Sequence, residues 1–442
     1  MKRGGVAAAL LLAAGAWAST AGANTTEDLL GLGGRSNAMG GAGTALATDS
    51  TAAWYGPANL AFCGGNQAGV HLQHTRYGLD VAGAAGQPEA RELRDQTRLT
   101  IGTCSQLPYA LSMGLMFGLN LQNPMTLETG TLTDKPQFAL YGDPLEQLTI
   151  VVGGAWRPWR RLSVGVGVAI LVNSVLALDT AFPVAEGVEG GEVSTDLRWD
   201  LGPTGALYLG LHAEPVDGLH LAMTWRGALF HDLEAPASVD VSIAGIFLEV
   251  DLLLEAASWY SPQQLALGAA WDPVEALTVA FDLTWYGWSS YPGPFLIATP
   301  AGGPDSVAST LVFPPREDFG FVDVIQPRLG VEWRLMSGLL ALRAGYSLRP
   351  TPAPIPSQRS NLLDGDVHAF SLGAGLRLDD DPEVPGGQPG GSLSFDLFAR
   401  SSHMARRQVD RPADPDADAA PSRFDFGGSI MEAGLSFTLG WQ

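Results

Sequence analysis

The sequence predicts an all-β protein, a transmembrane antiparallel β-barrel of about fourteen strands. Three observations carry this prediction. From residue 67 onward large apolar and small or polar side chains alternate with period two, the signature of strands with two unlike faces. Beyond the first 23 residues no stretch approaches the ~18 to 20 uninterrupted apolar residues of a membrane helix. A chain that spans a bilayer without helices must close its strands into a barrel, so that every backbone group finds a partner. Finally, short connections at 156–162, 212–219, 271–277 and 333–339 alternate with long polar or Pro/Gly-rich ones at 176–192, 290–323, 349–366 and 405–425. Barrels whose two ends face different compartments are built this way.

Taken in order, residues 1–23 form a secretory signal: Lys2 and Arg3, an apolar run over 6–17, and the small-residue site Ala21, Gly22, Ala23. The mature chain then starts at Asn24. Residues 24–65 obey neither period. Within them 31–61 alternates too poorly for a strand and has too many glycines for a helix, where each interior Gly costs about 1 kcal/mol against Ala. The segment must be held by something other than its own secondary structure. Gly33, Gly40, Gly41 and Gly43 do not make a phosphate-binding loop, because no strand precedes them and the G-x-G-x-x-G spacing is absent.

Residues 66–442 are the barrel. Strands are expected near 67–77, 97–105, 109–122, 145–157, 162–175, 195–212, 219–229, 263–271, 277–288, 326–334, 339–348, 367–378, 392–403 and 428–441. The span 239–260 fits a fifteenth strand, an extension of its neighbour, or a hairpin above the membrane. One face is exemplified by Leu162, Val164, Val166, Val168 and Ile170, with Ser163, Gly165, Gly167 and Ala169 between them on the other. Asp196, Arg198, Asp200, Arg226, Asp282, Arg328, Glu332, Arg343, Asp396, Arg400 and Glu432 all fall on the non-lipid parity. An Arg or Lys on the lipid face near the midplane would cost about 2–4 kcal/mol, so this segregation implies a polar, partly filled lumen.

Composition agrees: 46% of residues are hydrophobic and only 16% charged, and 55 of 442 are Gly. The formal charge of −21 excludes nucleic acid as a partner, since phosphate contact needs a basic surface. An acidic exterior suits solvated loops or a surface bridged by divalent cations. The two cysteines, Cys63 and Cys104, form no C-x-x-C pair, which removes metal and thioredoxin-like readings. Export places them in an oxidising compartment near the inner ends of neighbouring segments, as a disulfide or as two unpaired thiols. Seven histidines are present, none beside a serine in a G-x-S-x-G pattern, so no enzyme, catalytic residue or cofactor is expected. Asp410, Asp414, Asp416 and Asp418 lack the Gly turn and terminal Glu of a calcium loop and read as a solvated loop rather than a metal site.

The stretch from Gly31 to Ala61, with its glycines, its small-residue run, Asp49, Ser50, an aromatic and a Pro-Ala pair before Leu60, resembles the N-terminal plug of the outer-membrane long-chain fatty-acid and hydrocarbon transporter family (FadL/TodX type, OMPP1). Where that family usually carries Asn-Pro-Ala, this chain has Gly56, Pro57 and Ala58, with Asn59 following. WYGWSSYP from Trp285, the run from Pro327, and Asp364, Asp366, His368 and SLGAGL from Ser371 resemble later parts of the same family. So does the closing strand, where Met431, Ala433, Leu435, Phe437, Leu439 and Trp441 alternate with smaller or polar residues, the pattern that barrel-assembly machinery reads. The resemblance implies a monomer in the outer membrane of a Gram-negative bacterium, in contact with its lipid and lipopolysaccharide, with residues 24–65 folded as a plug inside the lumen. It implies passive uptake of hydrophobic small molecules, such as long-chain fatty acids or aromatic and aliphatic hydrocarbons, captured by outer loops and released past the plug. Sideways release through a kinked strand points to 109–122, with Gly114 and Gly118.

Two further expectations follow. Arg35 and Asp49 should anchor the plug to lumenal groups of opposite sign, because an unpaired buried charge is costly. Apolar runs in the long connections, Phe295, Leu296, Ile297, Leu311 and Phe313 together with Phe247, should form a capture groove unless they only pack together. The other reading of the whole chain is a non-transporting structural or adhesive barrel, and after it a soluble secreted β protein.

Overall fold

The structure is a computed structural model and describes residues 22–23, 26–83, 93–122, 136–141, 148–172, 175–183, 192–200, 203–243, 246–291, 296–302, 320–355, 362–379, 391–411 and 422–441. Among these no helix is long and apolar enough to cross a membrane. Fourteen strands close into a barrel. They are β1 (Asn66–Gly83), β2 (Gln96–Leu107), β3 (Leu111–Asn120), β4 (Leu148–Trp159), β5 (Leu162–Val172), β6 (Thr204–Val216) and β7 (Leu219–Arg226). The circuit continues with β8 (Gln264–Val274), β9 (Leu277–Tyr286), β10 (Val324–Leu335), β11 (Leu340–Arg349), β12 (Val367–Asp379), β13 (Ser392–Arg411) and β14 (Ser422–Trp441). Each strand pairs antiparallel with the next, and β14 closes on β1 with Trp441 opposite Asn66. Closure leaves no strand edge unpaired, which is what a lipid environment requires.

Alternation sorts the faces as the period-two pattern demands. On β3, Leu111, Met113, Phe117 and Leu119 are exposed while Ser112, Gly114, Met116, Gly118 and Asn120 are buried. Val164, Val166 and Val168 of β5 likewise look outward, with Ser163 buried between them and the interior. At the short-turn end Trp156, Trp159, Trp271 and Trp333 are exposed on the outer face, where amphipathic rings suit a membrane–water interface.

One expectation needs correcting. The span 195–212 is not a single barrel strand. Glu192–Asp200 belongs to a second sheet, and the barrel strand starts only at Thr204, so Asp196, Arg198 and Asp200 stand on that second sheet and not on a barrel strand. The second sheet also contains Val175–Pro183, Leu229–Ile243, Ile246–Ser261 and Leu296–Gly302, together with the two-residue strand Gly22–Ala23. It grows from the connections β5–β6, β7–β8 and β9–β10, all at the long-connection end. The ambiguous span 239–260 lies in its hairpin, with Val239 opposite Val250.

The N-terminal segment fills the barrel. It contains α1 (Thr26–Leu30), α2 (Gly34–Ala38), α3 (Ala52–Tyr55) and a 3₁₀ turn over Pro57–Phe62. Ala38, Met39, Ala42, Ala52, Ala53, Asn59 and Leu60 are fully buried. The segment starts at the long-connection end, where Asp28 meets Arg226, Ser261 and Gln264. It ends at the short-turn end, where Cys63 is joined to Cys104 of β2 by a disulfide.

A plugged lumen between an apolar mouth and an inner vestibule

The wall facing the N-terminal segment is paved with glycine where the segment comes closest. A Cβ on Gly165 would lie 2.3 Å from the Ala58 nitrogen, one on Gly210 2.9 Å from it, and one on Gly114 2.5 Å from Leu60. The 3₁₀ turn over 57–62 therefore sits flush on β3, β4, β5 and β6. A second glycine patch receives residues 38–40: a Cβ on Gly345 would lie 2.0 Å from the Gly40 nitrogen, and one on Gly330 or Gly373 would run into Met39 or Ala38. Gly40 and Gly41 are themselves in the left-handed region at φ 71° and 80°, which lets the backbone turn against the wall.

Polar groups complete the attachment. Arg35 donates to both carboxylate oxygens of Glu332 at 2.8 and 2.9 Å, and Glu332 also accepts from Arg343 at 2.6 Å. Burial alone would lower the pKa of Arg35, but the Glu332 carboxylate more than reverses this and holds the guanidinium charged. Glu27 pairs with Arg98, and Asp28 with Arg226 at 2.8 Å. Backbone N–H groups of the segment donate to the wall as well: Gly34 to Ser436 at 2.7 Å, Gly40 to Ser371 at 3.0 Å and Thr44 to Asp282 at 2.9 Å. Such bonds satisfy buried backbone groups of a segment whose helices are only four to six residues long. Within the segment the Tyr55 hydroxyl donates to Leu32 O and accepts from Leu32 N, both at 3.0 Å, and burial raises its pKa to about 12.

The expected site residues fall as follows. Arg35 faces a carboxylate of the wall. Asp49 turns back on its own segment, accepting from Thr51 N at 2.8 Å and Thr51 Oγ1 at 2.5 Å, so it acts as a turn cap instead of a wall contact. Gly56, Pro57 and Ala58 lie against the first glycine patch, where Ser163 donates to Ala58 O at 2.8 Å. Asn59 is fully buried; its amide donates to Thr44 O at 2.7 Å, and its oxygen lies 2.5 Å from His212 Nδ1. Facing an amide oxygen, that nitrogen must be the donor. His212 Nε2 is in turn 3.1 Å from His220 Nδ1.

Gly114 and Gly118 do not break their strand. β3 runs in unbroken register against both neighbours through each glycine, and what they provide is room, for Leu60 at Gly114 and for Arg98 at Gly118. Phe247, Leu296 and Ile297 sit on strands of the second sheet, Phe247 opposite Ser242 and Leu296 opposite Ala256. Phe295, Leu311 and Phe313 lie outside the described residues, as do Asp414, Asp416 and Asp418. Asp410 pairs with Arg423 at 2.5 Å at the surface.

An apolar assembly that the sequence reading missed occupies the long-connection end. Its buried aromatic members include Phe138, Tyr260, Trp288, Tyr291, Phe321 and Phe426, with Tyr291 and Phe321 rings 4.7 Å apart. The chain segments that build it are scattered: 137–138 pairs with 362–363 across two long connections, and Phe424 and Phe426 rise from β14. Beneath it lies a small polar chamber bordered by Asp28, Arg226, Arg328, Arg349, Arg400 and Glu432, and beneath that the N-terminal segment. On the far side of the segment a vestibule of about 420 Å³ opens between Arg35, Leu46, Phe62, His220, Glu332 and Arg343.

Fourteen strands thus close around a buried N-terminal segment, and comparison with known proteins decides the kinship of the chain. The sequence pattern of the outer membrane protein transport protein family (OMPP1/FadL/TodX) matches residues 10–387. The chain belongs to this family. Its place is accordingly the outer membrane of a Gram-negative bacterium. Alkane uptake protein A of Marinobacter nauticus is 23% identical over 297 residues, covering 64% of this chain and 62% of that protein. The chain therefore spans less than two thirds of that relative's length. Among solved structures, a Pseudomonas aeruginosa FadL homologue superposes with a TM-score of 0.62 at 16% identity, covering 92% of this chain and 97% of the other. The toluene transporter TodX of P. putida superposes with a TM-score of 0.56 at 18% identity, covering 94% and 100%. At these identities the solved structures speak for the shared fold.

Proposed function

We propose that this member of the OMPP1/FadL/TodX family is a passive channel for hydrophobic small molecules, long-chain fatty acids or aromatic and aliphatic hydrocarbons, captured at the outer end and released past the N-terminal segment acting as a plug. The observation that carries the proposal is the stacking order in the lumen: an apolar aromatic cluster at the long-connection end, a polar chamber under it, the N-terminal segment of short helical turns, and an open vestibule at the short-turn end. An apolar solute loses water on entering such a cluster, at about 0.8 kcal/mol for each CH₂ buried, and needs no energy source to do so. A porin for hydrated solutes would need a continuous water-lined pore in place of the cluster. Residues 1–23 act as the export signal and are removed, and the barrel is inserted as a monomer by assembly machinery that reads the alternating strand β14; closure of the ladder supports the monomer. Lipid and lipopolysaccharide cover its apolar outer face.

The test is reconstitution of the purified protein into liposomes with a panel of hydrophobic and polar solutes. Selective entry of toluene, hexadecane or palmitate over glucose and small ions is expected. Permeation by none would count against the channel reading and leave a structural or adhesive barrel, and equal permeation by all solutes would make the barrel an unselective pore.

A further inference from the structure

An apolar band runs round the whole wall, and at its outer edge one sector carries cations. From β2 to β11 the outward positions hold no Lys, Arg or His among the described residues. On the adjoining β12, β13 and β1, by contrast, His368, His403, Arg406, His74 and Arg76 are all exposed at the long-connection end. Strand register arranges them around β14. One row across the four strands reads His368, His403, Ser429 and Gly78, and the row beneath it Phe370, Ser401, Met431 and Arg76. The next reads Leu372, Ala399, Ala433 and His74, and under that come Leu397, Leu435 and Leu72. Hydrocarbon contact thus gives way to guanidinium, imidazole and hydroxyl groups within a few residues. His403 is ten residues along β13 from Leu393, about 33 Å of strand, or about 25 Å of height at a tilt of about 40°. That is the height of the apolar band of an outer-membrane barrel, so the row lies at the head-group level of the outer leaflet, on the side that long connections face.

Some polar groups of the sector already have partners. Arg406 is held by Asp80 at 2.7 Å and Asp425 at 3.3 Å, and Asp366 accepts from the Thr351 N–H at 2.8 Å. His368 Nδ1 lies 2.8 Å from the Tyr346 hydroxyl, and His74 Nδ1 3.0 Å from Thr97 Oγ1. The side chains of Arg76, Ser401, His403 and Ser429 have no hydrogen-bonding or ionic partner among the described residues. All four can donate a hydrogen bond, and one is a permanent cation, so together they suit an oxyanion. Beneath them, Phe370 and Leu372 are 61% and 67% exposed, because Ser401 and Ala399 across from them are small. The sector therefore offers donors above and a shallow apolar trough below, the two halves of an anionic amphiphile.

We propose that this sector is a binding site for lipopolysaccharide, its phosphorylated sugar head group on Arg76, Ser401, His403 and Ser429 and its acyl chains on Leu372, Leu397 and Leu435 below. This rests on the proposed lipopolysaccharide cover of the outer face and gives it a place. Arg76 and His403 stand two strands apart, about 10 Å between backbones, with Ser429 between them. That is the breadth of a sugar head group, and an arginine can grip one of its phosphates through two parallel charge-assisted hydrogen bonds. The acyl chains add about 0.8 kcal/mol for each CH₂ they bury in the trough. A free anion has no such tail, and the carboxylates of Asp80, Asp366 and Asp425 at the rim disfavour it.

The experiment titrates the delipidated full-length protein in detergent with lipid A, with lipid A stripped of its phosphates, and with phosphatidylglycerol, and counts bound lipids by native mass spectrometry. The unaltered protein is expected to hold lipid A about tenfold more tightly than either comparator. Arg76→Gln combined with His403→Gln should bring lipid A down to the level of its dephosphorylated form, and Arg76→Lys alone should keep most of the preference. Arg160→Gln, which removes an exposed cation at the opposite end of the wall, should change nothing. Heat-modifiable gel migration verifies folding, and Arg76→Gln alone replaces the double variant if that variant fails this check. Equal binding of lipid A and its dephosphorylated form, or a preference that survives loss of the guanidinium and imidazole, overturns the site. Phosphatidylglycerol held as tightly as lipid A makes the sector a general anionic-lipid site and overturns the assignment to lipopolysaccharide. Retention of none of the three lipids overturns the lipopolysaccharide cover itself. Solute entry into liposomes is measured separately, so each of these results leaves the channel reading standing.

Discussion

Glu332 shows how a single lumenal residue can hold the N-terminal segment. Its two oxygens are shared by Arg35 from the N-terminal segment and Arg343 from the neighbouring strand, and its side chain is 3% exposed. Glu332→Gln would preserve the shape and leave Arg35 without its carboxylate, while Arg343 keeps Asp396 at 2.5 Å. Breaking a buried pair by removing one member costs about 3–5 kcal/mol. Because Arg35 is 28% exposed and can recruit water, the lower end of about 3 kcal/mol is expected. A fall in the temperature at which the barrel shifts its gel migration would check this, and an unchanged midpoint would mean that the pair contributes nothing to the folded state. Parity along the strands was enough to show that Glu332 and Arg343 point inward. What parity could not supply was the partner, because Arg35, Glu27 and Asp28 lie in a segment with no period to read. Asn59 illustrates the same limit: it stands three positions after the Gly that replaces the family's usual Asn, yet it is the residue whose amide reaches both Thr44 O and His212.

At the scale of elements, the fourteen strands were legible because each must present one face to lipid, and that constraint writes itself into every second residue. The failure at 195–212 has the same origin. A strand of the outer sheet also alternates, so a strand leaving the barrel and one returning to it read as a single run. The inward glycines were visible as small residues, but their purpose required the partner surface. They form two seats for the backbone of the N-terminal segment, and that assigns them a measurable role. A valine at position 345 would place its Cβ 2.0 Å from the Gly40 nitrogen, and one at 165 would meet Ala58 at 2.3 Å; neither the wall nor the plug backbone can yield that much without separating. Gly345→Val and Gly165→Val should therefore leave heat-modifiable barrels whose plug is displaced, seen as increased conductance in planar bilayers. Gly154, whose nearest neighbour would be 3.7 Å away, is the control, and Gly154→Ala should conduct like the unaltered protein. Tight, non-conducting barrels from both valine variants would mean that the seats do not hold the plug.

For the whole molecule the question is whether wall and filler are separable. The wall is a closed ladder of neighbouring strands whose hydrogen bonds do not involve the N-terminal segment, and its outer face is apolar all round. The filler depends on the wall for nearly everything, since its helices are four or five residues long and too short to persist alone. Removing residues 26–62 would strip carboxylates from Arg98 and Arg226 and a guanidinium from Glu332. In a sealed interior those orphaned charges would be prohibitive, but an emptied lumen fills with water, and hydrated charges are not buried ones. The deletion should therefore give a folded barrel with a wide aqueous pore, leaking glucose and small ions that the complete protein is expected to exclude. Heat-modifiable migration would report the wall, and solute entry into liposomes the pore. A deletion protein that forms its barrel and stays impermeable to small polar solutes would show that the long connections, not the N-terminal segment, close the channel. One that fails to form a barrel would show that the strands need their filler to fold, making the segment part of the core instead of a removable plug.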